Sequence, residues 1–131
     1  MGRLDGRVAI VTGGAKGIGL HYVRAVAAEG ARLMIADVAD GKEIAESLAR
    51  QHGANSVASA ITDVSDEAAV KALVAETMGR FGQIDVLVNN AALFAPLRET
   101  KCTEIDAAVW DASWRSICAG RFSWSNMWSR T

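Results

Sequence analysis

Apolar residues run along this chain in two alternating rhythms. Short unbroken runs, rich in β-branched residues, alternate with longer stretches in which apolar positions recur every three or four residues. The first run is Val8–Thr12, VAIVT. Helical spacing follows from about Gly17 to Glu29, with Ile18, Val23, Val26 and Ala27 mostly on one side and Gly30 as its stop. The second run is Arg32–Asp37. Asp40 is then placed to cap a helix through about Gln51 that buries Ile44, Ala45 and Leu48, and His52–Gly53 ends it. Ser56–Ile61 reads as a third strand, followed by Thr62, Asp63 and Val64. Ser65 is expected to cap a long helix, Asp66–Phe81, with apolar positions at Val70, Leu73, Val74 and Met78. Acids in its first turn suit the helix dipole, and Gly82 stops it. The fourth strand, Ile84–Val88, leads straight into Asn89-Asn90-Ala91-Ala92.

Strands separated by helices imply right-handed crossovers and a parallel sheet. The expected fold class is therefore α/β with a parallel sheet. Ligands bind such sheets beyond the carboxyl ends of the strands. Thr12–Gly19, Asp37, Asp63–Val64 and Asn89–Ala92 all fall at those ends.

The turn after the first strand carries the most chemistry. Gly13 and Gly14 turn the chain, and Gly17 and Gly19 open the helix. Such a turn aims the free N–H groups and the positive dipole end of the helix at one point, a site for a pyrophosphate. Asp37 lies about twenty residues further on, where a dinucleotide site needs a carboxylate for ribose hydroxyls. Asp63 reads equally well as a turn acid at a helix start, and Asn89 and Asn90 as residues that satisfy loop backbone.

Composition narrows the classes. At 131 residues, half of them hydrophobic, the chain suits one domain with a real core. A net charge of −1 gives no general attraction to nucleic acid or to an anionic membrane. Cys102 and Cys118 form no disulfide or metal pattern and read as reduced cysteines of a cytoplasmic protein. His21 has no second ligand near it, so no metal site is expected. No signal-peptide pattern or membrane-spanning run is present.

Taken together, these motifs resemble the short-chain dehydrogenase/reductase family. Thr12-Gly13-Gly14-Ala15-Lys16-Gly17-Ile18-Gly19 matches its T-G-x-x-x-G-x-G. Asp63-Val64 matches the pair after its third strand, Asn89-Asn90-Ala91 its N-N-A-G with Ala92 in place of the glycine, and Trp110-Asp111 a pair on its fourth helix. The resemblance is collinear from Gly2 to about Ala112 and implies a Rossmann-type, doubly wound parallel sheet, strand order 3-2-1-4, with helices on both faces. It also implies NAD(P) binding with reversible hydride transfer between alcohol and ketone. It implies that Gly13, Gly17, Ile18 and Gly19 hold the pyrophosphate region, Asp37 the adenosine ribose, and Asp63 and Val64 the adenine surroundings. Asn90 and Ala91 are then expected near the nicotinamide-side ribose, with Asn89 tying strands together. Asp37 repels a 2′-phosphate and favours NAD; Lys16, a basic residue before Gly17, pulls towards NADP; the carboxylate faces the discriminating group directly, so NAD is expected. A small-molecule alcohol or ketone as substrate, and a homo-oligomer for the full-length parent, are further implications.

The family's catalytic serine, tyrosine and lysine have no match. The only tyrosine, Tyr22, lacks a lysine four residues on, and the asparagine of the fourth helix aligns with Ile117. No catalytic residue is therefore assigned, and the chain is expected to be an inactive dinucleotide-binding half. The alternative is a non-catalytic dinucleotide-binding or protein-interaction module. Residues 1–112 form the expected cofactor-binding part, and 113–131 an atypical tail that gathers Trp114, Trp124 and Trp128, with Trp110 just before. The tail can be encoded by codons that, read one base earlier from the end of the Ala112 codon, spell Val-Met-Ala-Val-Asn-Leu-Arg-Gly-Pro-Phe, which looks like the family's fourth helix. A single-base loss near Ala112 is the expectation that follows, with a frayed helix to about Gly120 and disorder beyond.

Overall fold

The computed structural model describes residues 2–93 and 101–119, apart from the side chains of Cys102, Cys118 and Ala119. Four parallel strands, β1 (Val8–Thr12), β2 (Arg32–Asp37), β3 (Val57–Ile61) and β4 (Val86–Val88), form one sheet in the order β3-β2-β1-β4. Helices α1 (Gly17–Ala28), α2 (Lys42–His52) and α3 (Glu67–Phe81) alternate with them. A 3₁₀ turn at Cys102–Glu104 precedes α4 (Ala107–Trp114), which continues as a π-helical turn, Arg115–Ala119.

The unbroken apolar runs have a direct cause. All five residues of β1 are buried because the sheet is covered on both faces. Ala9, Val11, Leu33, Ile35 and Val57 pack with Val23 and Ala27 of α1 and Ala45 and Leu48 of α2. On the other face Val8, Ile10, Met34, Ala36 and Ala58 pack with Val70, Leu73 and Phe81 of α3. Each fully buried aliphatic of this kind contributes about 1.5–3 kcal/mol.

Several boundaries move from those expected. Asp66, not Ser65, caps α3, its carboxylate accepting from Ala68 N–H at 2.9 Å. Both residue types are good caps, and Ser65 instead donates to Asp63. Asp40 precedes α2 by two residues and accepts from Lys42 N–H at 2.9 Å, with Gly41 in the cap position. Regular pairing in β3 begins at Val57, although the Ser56 carbonyl already accepts from Leu33 N–H at 2.8 Å. β4 begins at Val86, one residue after Asp85 N–H donates to Val8 O at 2.8 Å.

Two of the apolar helical positions lie outside the core. Ile18 is 68% exposed, because the first turn of α1 projects beyond the sheet and Gly19 takes the inward position. Met78 is 43% exposed, one position past the buried face of α3, which Thr77 occupies with its hydroxyl satisfied by Leu73 O at 2.7 Å.

Among the described residues β4 has a ladder partner only in β1, and its three residues are half-buried. The loop after it is fastened to the last helical segment. Ser113 Oγ donates to Leu93 O and Leu93 N–H to Ser116 Oγ, both at 2.9 Å. Helical backbone runs through Ala112 and Ser113 to Ala119; the expected disorder beyond Gly120, and Trp124 and Trp128, fall outside the described residues. None of the described helices is long and apolar enough to cross a membrane.

Candidate dinucleotide site

β1 ends in Thr12, whose side chain is buried and joins three backbone groups. Its hydroxyl donates to Val88 O at 3.3 Å and accepts from Asn90 N–H and Ala91 N–H, each at 3.0 Å. This ties the end of β1 to the segment that leaves β4.

The glycine loop follows. Gly13 (φ +66°) and Gly17 (φ +56°) occupy left-handed backbone that glycine adopts without strain. Gly13 N–H donates to Ala36 O at 2.7 Å, which pins the loop to the end of β2. A Cβ on Gly13 would lie 2.9 Å from Ala91 Cα and from Asn90 Nδ2. On Gly19 it would collide with the Gly13 carbonyl oxygen and come within 2.6 Å of Asn90 Nδ2. Gly14, expected only to turn the chain, also sets how closely strand and helix approach: a Cβ there would meet Val23 Cγ2 at 2.9 Å and Ile35 Cγ2 at 3.0 Å.

Lys16 takes the cap position of α1 with extended backbone, φ −156°, ψ 171°. No side chain caps this helix, and no acid stands in its first turn. α2 and α3, by contrast, each carry a glutamate there. The start of α1 therefore keeps its positive dipole end uncompensated by side chains.

Asp37 closes the next strand. It is buried, with Oδ2 accepting from Ala15 N–H and Oδ1 from Ala39 N–H, each at 3.0 Å. Its backbone carbonyl accepts from Thr62 N–H at 2.8 Å, bringing the end of β3 alongside. There Val64 is buried while Asp63 is exposed. The Ser65 hydroxyl at 2.7 Å and the Ser65 N–H at 2.9 Å both reach Asp63 Oδ1 and hold this carboxyl below the usual carboxylate range.

One expected role changes hands. Asn90, not Asn89, ties the strands: its Nδ2 donates to Thr12 O and Gly13 O, each at 3.2 Å. Asn89 is exposed. The reason is local, since Asn90 N–H turns back to Val88 O at 3.1 Å and swings the second asparagine beneath the glycine loop.

Gly13, Gly19, Asn90 and Ala91 thus meet directly, Asp37 reaches the same loop through Ala15, and Asp63 and Val64 lie at the neighbouring strand end. Lys16, Gly17 and Ile18 form the exposed lip. Thr12 and the amides of Ala15 and Ala39 were not singled out as functional from sequence; a hydroxyl in the last, buried position of a strand that faces N-N was the available signal. Among the described residues no three His, Cys, Asp or Glu side chains cluster as metal ligands. An open groove of about 580 Å³ between α1 and α2, lined by Arg24, Glu43, Ile44, Ser47, Leu48, Gln51 and His52, shares no residue with this site.

A glycine turn at the carboxyl edge of a parallel sheet, with a buried acid at the end of the second strand, defines a nucleotide-binding α/β fold. Within that class the family model described as short chain dehydrogenase matches residues 7–130, and the chain belongs to that family. It is 48% identical over 99 residues to a sorbitol dehydrogenase of Cereibacter sphaeroides, covering 74% of this chain and 38% of the relative. It is 38% identical over 122 residues to a D-threitol dehydrogenase of Mycolicibacterium smegmatis, covering 92% of this chain and 45% of the relative. A crystal structure of 3-ketoacyl-(acyl-carrier-protein) reductase from Brucella melitensis, complexed with NADH, is similar with a TM-score of 0.81 at 28% identity, covering 95% of this chain and 49% of that one. The chain thus spans less than half the length of these relatives.

Proposed function

We propose that this chain is the NAD-binding half of an oxidoreductase that interconverts alcohols and ketones. The observation that carries the reading is the uncapped start of α1, presented by a glycine loop that Asp37 and Asn90 hold against the strand ends. Backbone N–H groups at such a helix start bind phosphate oxygens. Gly13, Lys16, Gly17, Ile18 and Gly19 hold the pyrophosphate in this reading, and Asp37 accepts from the adenosine ribose hydroxyls. Asp63, whose Oδ1 accepts from Ser65, borders the adenine together with Val64. Asn90 and Ala91 stand at the nicotinamide-side ribose. The bound cofactor supplies a hydride acceptor or donor; this chain's residues bind and orient it. The buried carboxylate of Asp37 is an acceptor and repels a 2′-phosphate, which favours NAD over NADP despite Lys16.

The chain binds without turning substrate over in this account. Hydride transfer leaves an alkoxide-like oxygen that needs a proton donor. Tyr22 lies on α1 with Val26 four residues on, so no lysine stands one helical turn away to assist it as a proton donor. The exposed Trp110 and Trp114 favour a second reading, a binding module that engages a protein through α4.

The test is calorimetric titration of the full chain with NAD and NADP, for wild type and Asp37→Ala, beside a turnover assay with secondary alcohols. NAD binding tighter than NADP, a narrower preference in the variant, and no turnover support the reading. No dinucleotide binding by folded chain, or turnover above the blank, overturns it; an unchanged preference in the variant moves cofactor discrimination to Lys16. Sequencing the coding DNA around codons 112–113 tests the single-base loss, which fails if the earlier frame does not read as the family helix.

A further inference from the structure

Both carboxylate oxygens of Asp37 hold backbone. Oδ1 accepts from Ala39 N–H, two residues ahead, a local turn that aspartate and asparagine both form. Oδ2 accepts from Ala15 N–H, 22 residues back, and so joins the end of β2 to the middle of the glycine loop. One further bond between these segments, Gly13 N–H to Ala36 O, lies at the loop's root. Past Ala15 the loop continues through exposed Lys16, which no side-chain hydrogen bond secures at the cap, and through Gly17, whose α-carbon faces open space. The position of the amides that open α1 therefore depends on how firmly Ala15 is held.

We propose that Asp37 is a positioning residue for the phosphate loop as well as a ribose acceptor: its bond to Ala15 N–H fixes the loop amides, so that the adenosine and pyrophosphate ends of the dinucleotide are recognised as one coupled unit. Each carboxylate oxygen has a second lone pair, so ribose hydroxyls add to these bonds without displacing them. A loop held in its binding shape before the ligand arrives loses less entropy on binding, and the bond to Ala15 supplies that order. The ligand half of this inference rests on the dinucleotide reading; the loop half does not.

The experiment uses the full chain, wild type, Asp37→Asn and Asp37→Ala. Amide hydrogen exchange is followed residue by residue without ligand, and inorganic pyrophosphate is titrated in parallel. Asparagine is the sharper variant because it keeps the size of the side chain. Its oxygen can serve Ala39, but its NH2 then faces Ala15 N–H, donor against donor. Exchange at the hydrogen-bonded Gly13 and Ala15 amides is expected to rise about tenfold or more, with β1, β2 and α3 core amides unchanged. Pyrophosphate, which has no hydroxyl for Asp37 to meet, is expected to bind about threefold or more weakly. Unchanged loop exchange overturns the proposal and leaves Asp37 a ribose acceptor alone. An equal rise across the core amides also overturns it, because Asp37 then only stabilises the fold. The exchange arm needs no ligand, so failure of the chain to bind NAD is distinguished from failure of the latch.

Discussion

Replacing Thr12 by valine removes one hydroxyl from the junction of β1 and β4 with almost no change in volume. Three contacts are lost: the bond donated to Val88 O and those accepted from Asn90 N–H and Ala91 N–H. Asn90 N–H retains Val88 O at 3.1 Å, so that pair stays satisfied. Ala91 N–H loses its partner in a half-buried place. The lost hydrogen bonding costs about 1 kcal/mol and the unpaired N–H about 1–2 kcal/mol more. The expected destabilisation is thus about 2–3 kcal/mol out of a typical domain stability of about 5–15 kcal/mol. At a urea dependence of about 1–3 kcal/mol per molar, the unfolding midpoint drops by about 1 M or more. Thr12→Ser is the control, since it keeps the hydroxyl and loses a buried methyl, at about 1 kcal/mol. Urea titration of the three proteins, followed by circular dichroism, decides the matter. A valine variant as stable as the serine variant would refute the assigned role of the hydroxyl.

Two glycines should respond in opposite directions. Gly19→Ala drives a Cβ into the Gly13 carbonyl and is expected to lower stability by about 1–3 kcal/mol. Gly79→Ala, in α3 with nothing within 4 Å of the new Cβ, should raise it by about 0.5–1 kcal/mol; thermal melts of both variants check this, and equal shifts would contradict it. Acid sensitivity should involve Asp85, whose carboxyl is held below the usual range by Val8 N–H and then by Arg7, with Gln83 also donating to it. A depressed folded pKa stabilises above the unfolded value of about 3.9 and ceases to do so as pH falls through the folded one. The urea midpoint should therefore fall on acidification below about pH 4, and Asp85→Asn should flatten that limb in part, Asp63 and Glu29 being depressed as well. A variant curve parallel to wild type would contradict this assignment.

The parallel sheet was legible in four apolar runs and the glycines between them, and its strand order followed from the family resemblance. β1 and β2 are buried along nearly their whole length, so burial on both faces left a plain mark in composition. Periodicity could not tell where a helix outruns its sheet, and so it grouped the exposed Ile18 and Met78 with the positions that are buried. Neighbouring good caps left Ser65 and Asp66 undecided at one-residue precision. The swap between Asn89 and Asn90 has the same kind of origin: strand alternation ends at Val88, and the turn back to its carbonyl sets which asparagine points inward. Asp37 was found by its spacing from the glycine turn, but its bond to Ala15 depends on how close two loops approach in space. No local pattern carries that distance.

The most direct measurement is a two-dimensional amide NMR titration of the full chain with NAD. Binding at the proposed site shifts the amides of Gly13–Gly19, of Val38 and Ala39 beside Asp37, of Asp63 and Val64, and of Asn90 and Ala91. Those of His52 and of Arg24 in the α1–α2 groove stay in place. Shifts confined to that groove, or none at all in a chain whose spectrum shows it folded, would contradict the account.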